Sequence, residues 1–343
     1  MFTTETKTPR QLNLSTAAGH AVRIRPFNFD DDRDYRAIVA IENAIHPDTP
    51  SSVTAWKHWD RNRESKYLFR RYLAEKDGLV VAAGSYGHTA WSYQPDKYFI
   101  YVAVNPEQQR QGIGSTFYDF IHGQLVPLRP QKLTSHTRED RKWAMRFLEM
   151  RGYKPVMRVP VSRLESAAFD ATRFAGKLQR VQESGITIKT LRQLAEEDPD
   201  WEHKVYELEW ECVQDVPSPD PHTKRPFERF KEGTLKSPNL LPDAWFVAVD
   251  GDRYVGLSVL WRNLSTDKLL ETGLTGVVRS HRRRGIATAL KVHAIQYAHA
   301  HGQAAIVTDN EENNPMFQLN LQLGFKPQPA YLDYAKEIAS PGT

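Results

Sequence analysis

The sequence predicts an α/β protein made of two similar copies, each a mixed sheet flanked by helices. A β-like run, a glycine-containing turn and a helical run occur in that order twice, around Gly112 and around Gly285. These glycines lie 173 residues apart, and the Asp-Gly pairs that end at Gly78 and Gly251 have the same separation. Two landmarks with one spacing indicate a duplication.

Composition supports two globular domains and excludes several classes of protein. With 343 residues and 40% hydrophobic residues, the chain is long enough to bury two cores. Its 46 Lys and Arg nearly balance 42 Asp and Glu, so no nucleic acid or membrane partner is expected. The single cysteine, Cys212, excludes an intramolecular disulfide and is interpreted as a small buried residue on a helix. Without a signal-peptide pattern or an apolar run of membrane-spanning length, a cytoplasmic protein is expected.

Hydrophobic periodicity and turn residues give the same order of elements in both copies. The first copy is predicted to contain strands at 22–27, 67–74, 79–86, 98–104 and 132–137 and helices at 34–45, 115–126 and 140–150. The second is predicted to contain strands at 186–189, 245–250, 254–261, 271–278 and 304–308 and helices at 201–213, 227–235, 288–300 and 315–323. The predicted domains are a lead-in (1–20), the first domain (21–158), a connecting helix (159–184), the second domain (185–337) and a tail (338–343).

Both glycine-containing turns open a helix, where unpaired backbone N–H groups and the helix dipole favour an anion. The first turn reads Gln109-Arg110-Gln111-Gly112-Ile113-Gly114 and the second Arg282-Arg283-Arg284-Gly285-Ile286-Ala287. Both match the Gln/Arg-x-x-Gly-x-Gly/Ala signature, and each precedes a Gly-aromatic helix stop, Gly152-Tyr153 or Gly324-Phe325, by about forty residues. On these residues the chain resembles the GNAT superfamily of acyl-CoA-dependent N-acetyltransferases, as two tandem GNAT folds.

The resemblance implies acetyl-CoA as the acyl donor, its pyrophosphate on the turns and its pantetheine arm beside a splayed central strand. The residues it assigns to cofactor binding are Val102, Val104, Gln109, Arg110, Gln111, Gly112, Ile113 and Gly114 in the first copy, and Val277, Val278, Arg279, Arg282, Arg283, Arg284, Gly285, Ile286 and Ala287 in the second. Asn310 and Asn313 resemble family asparagines that contact pantetheine; helix capping by Asn is the alternative.

Catalysis is expected in the second copy. Glu271 on its central strand resembles the general base of many family members, and strand alternation predicts a sparsely filled face shared with Gly273 and Thr275. A solvated strand-end Glu is the alternative. The family's proton-donating tyrosine is replaced by Asn320 here and by Leu148 in the first copy; Asn320 is expected to hydrogen-bond the sulfur or carbonyl. The first copy has Tyr98 in place of Glu271 and is expected to be non-catalytic or to bind cofactor only.

The acceptor site implied by the resemblance includes Trp210, Asp215, Asp220 and His222, whose carboxylates would suit a cationic amine; plain turn chemistry is the alternative for this Pro-rich loop. No metal site is expected. The sequence thus predicts transfer of acetyl from acetyl-CoA to a primary amine, small molecule or peptide. A non-catalytic acyl-CoA sensor or scaffold is the first alternative and an RNA-dependent transferase the second. The acceptor and the oligomeric state stay open.

Overall fold

A computed structural model describes residues 12–338, which divide into two compact units. Unit 1 contains residues 12–136, 150–154 and 334–338, and unit 2 contains 137–149 and 155–333. Between residues 12 and 338 there is no helix long and apolar enough to cross a membrane. Each unit is a mixed sheet flanked by helices, which confirms the predicted fold class.

The elements of the first half follow the predicted order closely. They are β1 (Leu12–Ser15), β2 (Ala21–Pro26), α1 (Asp32–Ile45), α2 (Val53–Arg61), β3 (Phe69–Lys76), β4 (Leu79–Gly87), β5 (Lys97–Val104), α3 (Ile113–Leu125), β6 (Lys132–Arg138), α4 (Lys142–Glu149) and β7 (Lys154–Glu165).

The sheet of unit 1 runs from β1 to β6 in chain order. Neighbours from β1 to β5 are antiparallel, and β5 pairs with β6 in parallel. The hairpin of β3 and β4 turns at Asp77 and Gly78, both of which have positive φ (51° and 79°), as a tight two-residue turn requires. On one face α1 packs Tyr35 and Ile38 against the sheet. Helix α3 covers the other face.

The second half repeats this plan. Its elements are α5 (Ala175–Glu183), β8 (Ile186–Thr190), α6 (Leu191–Glu197), α7 (Trp201–Val213), α8 (Phe227–Phe230), β9 (Leu240–Asp250), β10 (Arg253–Arg262), β11 (Leu269–Val277), α9 (Ile286–Ala300), β12 (Ala305–Asp309), α10 (Pro315–Gln322) and β13 (Lys326–Glu337).

The sheet of unit 2 contains the order β7-β12-β11-β10-β9-β8, with only β11 and β12 parallel among these pairs. Helices α7 and α9 cover its opposite faces. A Cβ on Gly276 would lie 2.7 Å from the Cβ of Cys212 on α7, and one on Gly256 would lie 3.2 Å from Leu290 of α9. Cys212 is buried and free of disulfides, as predicted.

Two predicted segments differ from the structure. The lead-in at 1–20 contains strand β1, while residues 1–11, and 339–343 of the tail, lie outside the described residues. The connecting helix predicted over 159–184 is α-helical only at Ala175–Glu183, and its first residues belong to β7. Pro160, Ser162 and Leu164 alternate inward in β7, which pairs with β12, so this stretch has the two-residue period of a strand.

Candidate active site

The second turn leaves the N-terminus of α9 without a side-chain cap. Arg283 (φ 64°) and Gly285 (φ 82°) are left-handed, and α9 begins at Ile286. Two left-handed residues close to a helix start direct backbone N–H groups outward into a concave anion site. Arg282 fixes the turn to the preceding strand, because its Nε donates to the Val277 carbonyl over 2.9 Å.

The first turn is built in the same way. Arg110 (φ 67°) and Gly112 (φ 80°) are left-handed, α3 begins at Ile113, and no side chain caps it. Gln109, the counterpart of Arg282, donates from Nε2 to the carbonyl of Val104 over 3.1 Å. The backbone of both turns is therefore suited to an anion such as a pyrophosphate.

The arginines of the second turn have different surroundings. Arg279 and Arg282 both bind the carboxylate of Asp215, with Arg279 Nε 3.1 Å from each oxygen. These hydrogen bonds, that from Arg279 foremost, lower the pKa of Asp215 to about 2. Arg284 lies 3.9 Å from Asp250. Arg283 is exposed and forms no side-chain ion pair within residues 12–338.

Before each turn the central strand separates from its parallel neighbour. In unit 2 the pairing of β11 and β12 stops at Glu271 and Val307, although β11 runs on to Val277. In unit 1 the pairing of β5 and β6 stops at Phe99 and Thr134. Each divergence leaves one edge of the central strand open, as the splayed-strand interpretation predicts.

A β-bulge sets the direction of Glu271. The register between β10 and β11 shifts between Ser258, which pairs with Thr275, and Leu260, which pairs with Thr272, so β11 carries one extra residue. A bulge of this kind moves the side chains beyond it to the other face of the sheet. Thr275 therefore faces α9, where its hydroxyl lies 2.9 Å from Ser258 Oγ, whereas Glu271 faces the side of α7.

The face that carries Glu271 is filled more than the sequence predicts. Glu271 pairs directly with Trp261, and a Cβ on Gly273 would lie 2.4 Å from Trp261 Nε1. The predicted shared face with Gly273 is correct, but Thr275 lies on the opposite face and Trp261 covers the glycine. Sequence reasoning missed Trp261; the glycine in the central strand was the available signal, because strand glycines mark bulges and close approaches.

The surroundings of Glu271 favour its neutral form. Asn263 Nδ2 donates to Glu271 Oε1 over 2.7 Å. Burial raises the pKa of Glu271, the hydrogen bond from Asn263 opposes this shift, and the negative charge of Asp309 adds to it. A raised carboxyl pKa in a cleft is typical of general bases and of functional sites.

Asn320 is fully buried on α10, and its Nδ2 donates to Asn310 Oδ1 over 2.6 Å, while its own Oδ1 has no hydrogen-bond partner. The cap of α10 is Asn314, so capping does not explain Asn310 or Asn313. Asn313 Nδ2 donates to Glu311 over 2.8 Å. Asn310 thus lies beside Asn320, at the end of β12.

The structure places the predicted acceptor residues on α7 and in the loop that follows it. The carboxylate of Asp215 pairs with Arg279 and Arg282 of the second turn. His222 Nε2 lies 2.9 Å from the Val216 carbonyl, which fits the turn-chemistry alternative. Trp210 is half-buried on α7, with Lys224 Nζ 5.9 Å from its ring, and Asp220 is half-buried in the following loop.

The corresponding region of unit 1 is occupied by rings. Tyr98 is 6% exposed and stacks on His88, with ring centroids 4.6 Å apart. Beyond the last β5–β6 pair, Tyr101 stacks on His136 at 5.4 Å and donates from its hydroxyl to Glu42 over 2.9 Å. The register between β4 and β5 has no bulge. The first unit therefore has the same kind of turn as the second, without a carboxylate beside it on the central strand.

In each unit an uncapped helix start follows a central strand that has separated from its parallel neighbour. This arrangement defines an α/β fold suited to a phosphate-bearing cofactor. Comparisons with known proteins agree with it. The family model described as acetyltransferase (GNAT) matches residues 32–153 and 202–325. The chain belongs to the GNAT family of acetyltransferases, and it is an acyltransferase of the acyl-CoA-dependent N-acetyltransferase type. No match is found among curated protein sequences.

Solved structures give the same tandem fold. A GCN5-related N-acetyltransferase from Sphaerobacter thermophilus is 21% identical, with a TM-score of 0.65 over 95% of this chain and 98% of the other. A tandem GNAT protein from the clavulanic acid biosynthesis pathway is 15% identical, with a TM-score of 0.71 over 94% of this chain and 100% of the other. These identities establish the fold alone. They confirm the tandem architecture predicted from the repeated turns.

Proposed function

We propose that the second repeat transfers an acetyl group from acetyl-CoA to a primary amine by direct attack, with Glu271 as the general base. The observation that carries this proposal is a carboxylate with a raised pKa at the point where β11 and β12 diverge. Acceptors of this kind are cationic at neutral pH, so a base of raised pKa is needed to remove a proton before attack.

The residues of unit 2 fit the cofactor. The uncapped start of α9 and the exposed guanidinium of Arg283 would hold the pyrophosphate, and the open edge of β11 beyond Glu271 would pair with the amides of pantetheine. Acetyl-CoA would supply an activated thioester. In the reaction a C–N bond would form and the C–S bond would break. The ammonium nitrogen would give up two protons: Glu271 would take one before attack, and the other would pass through water to the departing thiolate.

Asn320 replaces the usual tyrosine and cannot act as that acid, because a neutral amide does not give up a proton near neutral pH. We assign it a positioning role, supported by its complete burial and its hydrogen bond to Asn310. Trp261 would shield Glu271 from solvent and form one wall of the acceptor site. The predicted contacts of Trp210, Asp220 and His222 with the acceptor stay predictions.

Glu271→Gln tests the proposal. The variant keeps the size and the hydrogen bond of the side chain but removes the base, so we expect kcat/KM to fall by roughly 100- to 10,000-fold. Thiol release from acetyl-CoA with a panel of primary amines measures the rate. In the wild type, kcat/KM should rise with pH as Glu271 loses its proton, through a pKa above the ordinary value for glutamate. Calorimetry should give the same affinity for acetyl-CoA in both proteins.

Tyr98→Phe is the matched control, since the sequence repeat of 173 residues aligns Tyr98 with Glu271; its rate should stay within about twofold, because no step is assigned to that unit. The family's proton-donating tyrosine is missing from both repeats, where Asn320 and Leu148 replace it. This absence favours a second candidate, a sensor that binds acyl-CoA without turnover. The sensor is favoured instead if acetyl-CoA binds, no amine releases thiol, and Glu271→Gln changes nothing.

A further inference from the structure

Lys291 is a buried lysine of α9 without a charged partner. The residue is 3% exposed, and its side chain forms no hydrogen bond or ion pair within residues 12–338. Its Nζ lies over the ring of Phe325, 5.3 Å from the ring centroid. Lysine is rarely buried to this extent without a partner, because a buried charge costs stability. Proteins retain such costs mainly at functional sites.

Helices α9 and α10 lie on the same face of the sheet in unit 2. Lys291 of α9 contacts Phe325, which lies three residues after the end of α10. A Cβ on the neighbouring Gly324 would lie 3.6 Å from Leu164 of β7, so Leu164 faces these helices. Ser162 lies two residues before Leu164 on β7 and therefore points to the same face.

Buried polar groups on this face mark the point where β11 and β12 separate. Thr308 pairs with Ser162 and directly follows the last residue of β12 that pairs with β11. Two residues further on, Asn310 accepts from Asn320 Nδ2 over 2.6 Å. Ser162 Oγ and Asn320 Oδ1 are buried without a hydrogen-bond partner. Buried polar atoms are normally satisfied, so this group lacks a donor.

The unsatisfied amide oxygen and the unpaired lysine complement each other. The backbone N–H of Phe325 donates to the Asn320 carbonyl over 3.0 Å, so the ring that Lys291 contacts belongs to a residue bonded directly to Asn320. An ammonium group is a donor only, and an amide oxygen is an acceptor. Because Asn310 holds the other end of the amide, Asn320 Oδ1 is the acceptor suited to this ammonium.

We propose that Lys291 gives the proton to the departing sulfur of coenzyme A, with its ammonium oriented by Asn320. This inference rests on the proposed function, in which the thioester lies beside Glu271 where the strands separate. Lys291 would lose one N–H bond as the C–S bond breaks and an S–H bond forms. It would regain its proton, through water, from the second proton released by the acceptor nitrogen. Base and donor then lie on opposite faces of the sheet.

The environment of Lys291 suits a proton donor near neutral pH. Burial alone lowers the pKa of Lys291 to about 7, with no contribution from a charged group of residues 12–338. The polar side chains on this face of β7, β12 and α10 are hydroxyls and amides, which do not ionise near neutral pH. Of the ionisable groups on adjoining segments, His293 of α9 packs against Phe246, and Lys326 is exposed.

A titration that needs no turnover tests the placement of Lys291. With coenzyme A bound, the ultraviolet absorbance of the thiolate measures the pKa of its thiol. A nearby ammonium stabilises the thiolate, so this pKa should be at least about one unit lower in the wild type than in Lys291→Met. The variant removes a buried charge and is expected to fold.

Rates of thiol release at saturating substrate test the proton transfer itself. Lys291→Met should lower the rate by roughly 100-fold or more and abolish the loss of rate above about pH 7 that deprotonation of Lys291 causes in the wild type. Lys291→Arg keeps the charge but cannot release a proton, so it should retain the lowered thiol pKa without restoring the rate. A rate restored by arginine would overturn the assignment of Lys291 as the donor.

Tyr118→Phe is the matched control, because Tyr118 lies 173 residues before Lys291, at the corresponding position of α3. It should change neither the thiol pKa nor the rate. Equal thiol pKa values in the wild type and Lys291→Met would overturn this inference even if amines are acetylated. A Lys291-dependent thiol pKa without thiol release from any amine would instead support the placement of Lys291 and reject the acetyltransferase proposal.

Discussion

The two repeats share a glycine-containing turn that opens a helix, and they differ in the side chains beside it. Both turns have left-handed residues at corresponding positions, and both are fixed to the preceding strand by the same side-chain bond. On the central strand before the turn, unit 2 presents Glu271, whereas unit 1 presents Tyr101, whose ring stacks on His136 across the diverging strands. Backbone geometry was thus retained in both repeats while side-chain chemistry diverged, which separates the capacity to hold an anion from the capacity to react.

The largest expected difference between the repeats concerns cofactor binding. Gly285→Glu places a negative charge and a Cβ at a left-handed position in the second turn, so acetyl-CoA affinity should fall by roughly 100-fold or more. Gly112→Glu makes the same change in the first turn. It should leave the affinity nearly unchanged, because the stacked rings of Tyr101 and His136 cross the gap between β5 and β6. Calorimetry should give one site per chain; two sites in the wild type would show that the stacked rings do not block the gap in unit 1.

A difference in stability is expected at corresponding positions of α3 and α9. Lys291 is 3% exposed, lies 5.3 Å from the Phe325 ring, and burial lowers its pKa to about 7. An unfolded lysine titrates near 10.4, so the penalty of burying its charge is complete below about pH 7 and disappears as the pH rises to about 10. Lys291→Met should therefore raise the unfolding free energy at pH 6, by at most about 5 kcal/mol.

Its counterpart is Tyr118, whose hydroxyl lies 3.1 Å from that of Tyr153. Tyr118→Phe should cost about 1 kcal/mol, with no change between pH 6 and 9. Denaturant unfolding at pH 6, 7.5 and 9 measures both variants. A gain from Lys291→Met that does not shrink with rising pH would mean that packing, and not charge, causes it.

The smallest effect is expected for Asp215, whose carboxylate pairs with Arg279 and Arg282 of the second turn. The first turn has Gln109 in place of Arg282 and needs no such carboxylate. Asp215→Asn should lower the unfolding free energy by at most about 1 kcal/mol at pH 7, because these ion pairs are partly exposed. The Asp215 pKa of about 2 means that this contribution is present above about pH 4 and is lost as the pH falls toward 2.

Thermal unfolding at pH 7 and pH 3 measures this difference, with Lys76→Met as the first-turn control, since Lys76 donates to Gln111 over 2.6 Å. A loss of several kcal/mol for Asp215→Asn would contradict the exposed character of the pair.

Features set by a few adjacent residues were predictable from the sequence. The turns at Gly112 and Gly285 and the Asp77-Gly78 hairpin follow from conformations that glycine and its neighbours favour locally. These features were sufficient to indicate the duplicated fold.

Features set by pairing between distant strands were not predictable in the same way. The membership of β7 in unit 2, the bulge in β11 and the position of Asp309 depend on registers between strands far apart in sequence. The cover of Trp261 over Gly273 depends on the same ladder. A sequence pattern gives the two-residue period of each strand, but it does not identify the neighbouring strand or the register of their pairing.

The bulge in β11 also limits how activity could be transplanted between the repeats. Because β5 has no such extra residue, Tyr98 shares a face with Val102 and Val104, and a Cβ on Gly114 of α3 would lie 3.4 Å from Val104. A glutamate introduced at 98 would therefore point toward α3, away from the side of α1. In the parallel ladder the counterpart of Glu271 is Phe99, the last residue of β5 that pairs with β6, and it lies on the face of Tyr101 toward α1. A carboxylate in the position of Glu271 therefore requires a substitution at residue 99 and not at residue 98, which the sequence repeat aligns with it.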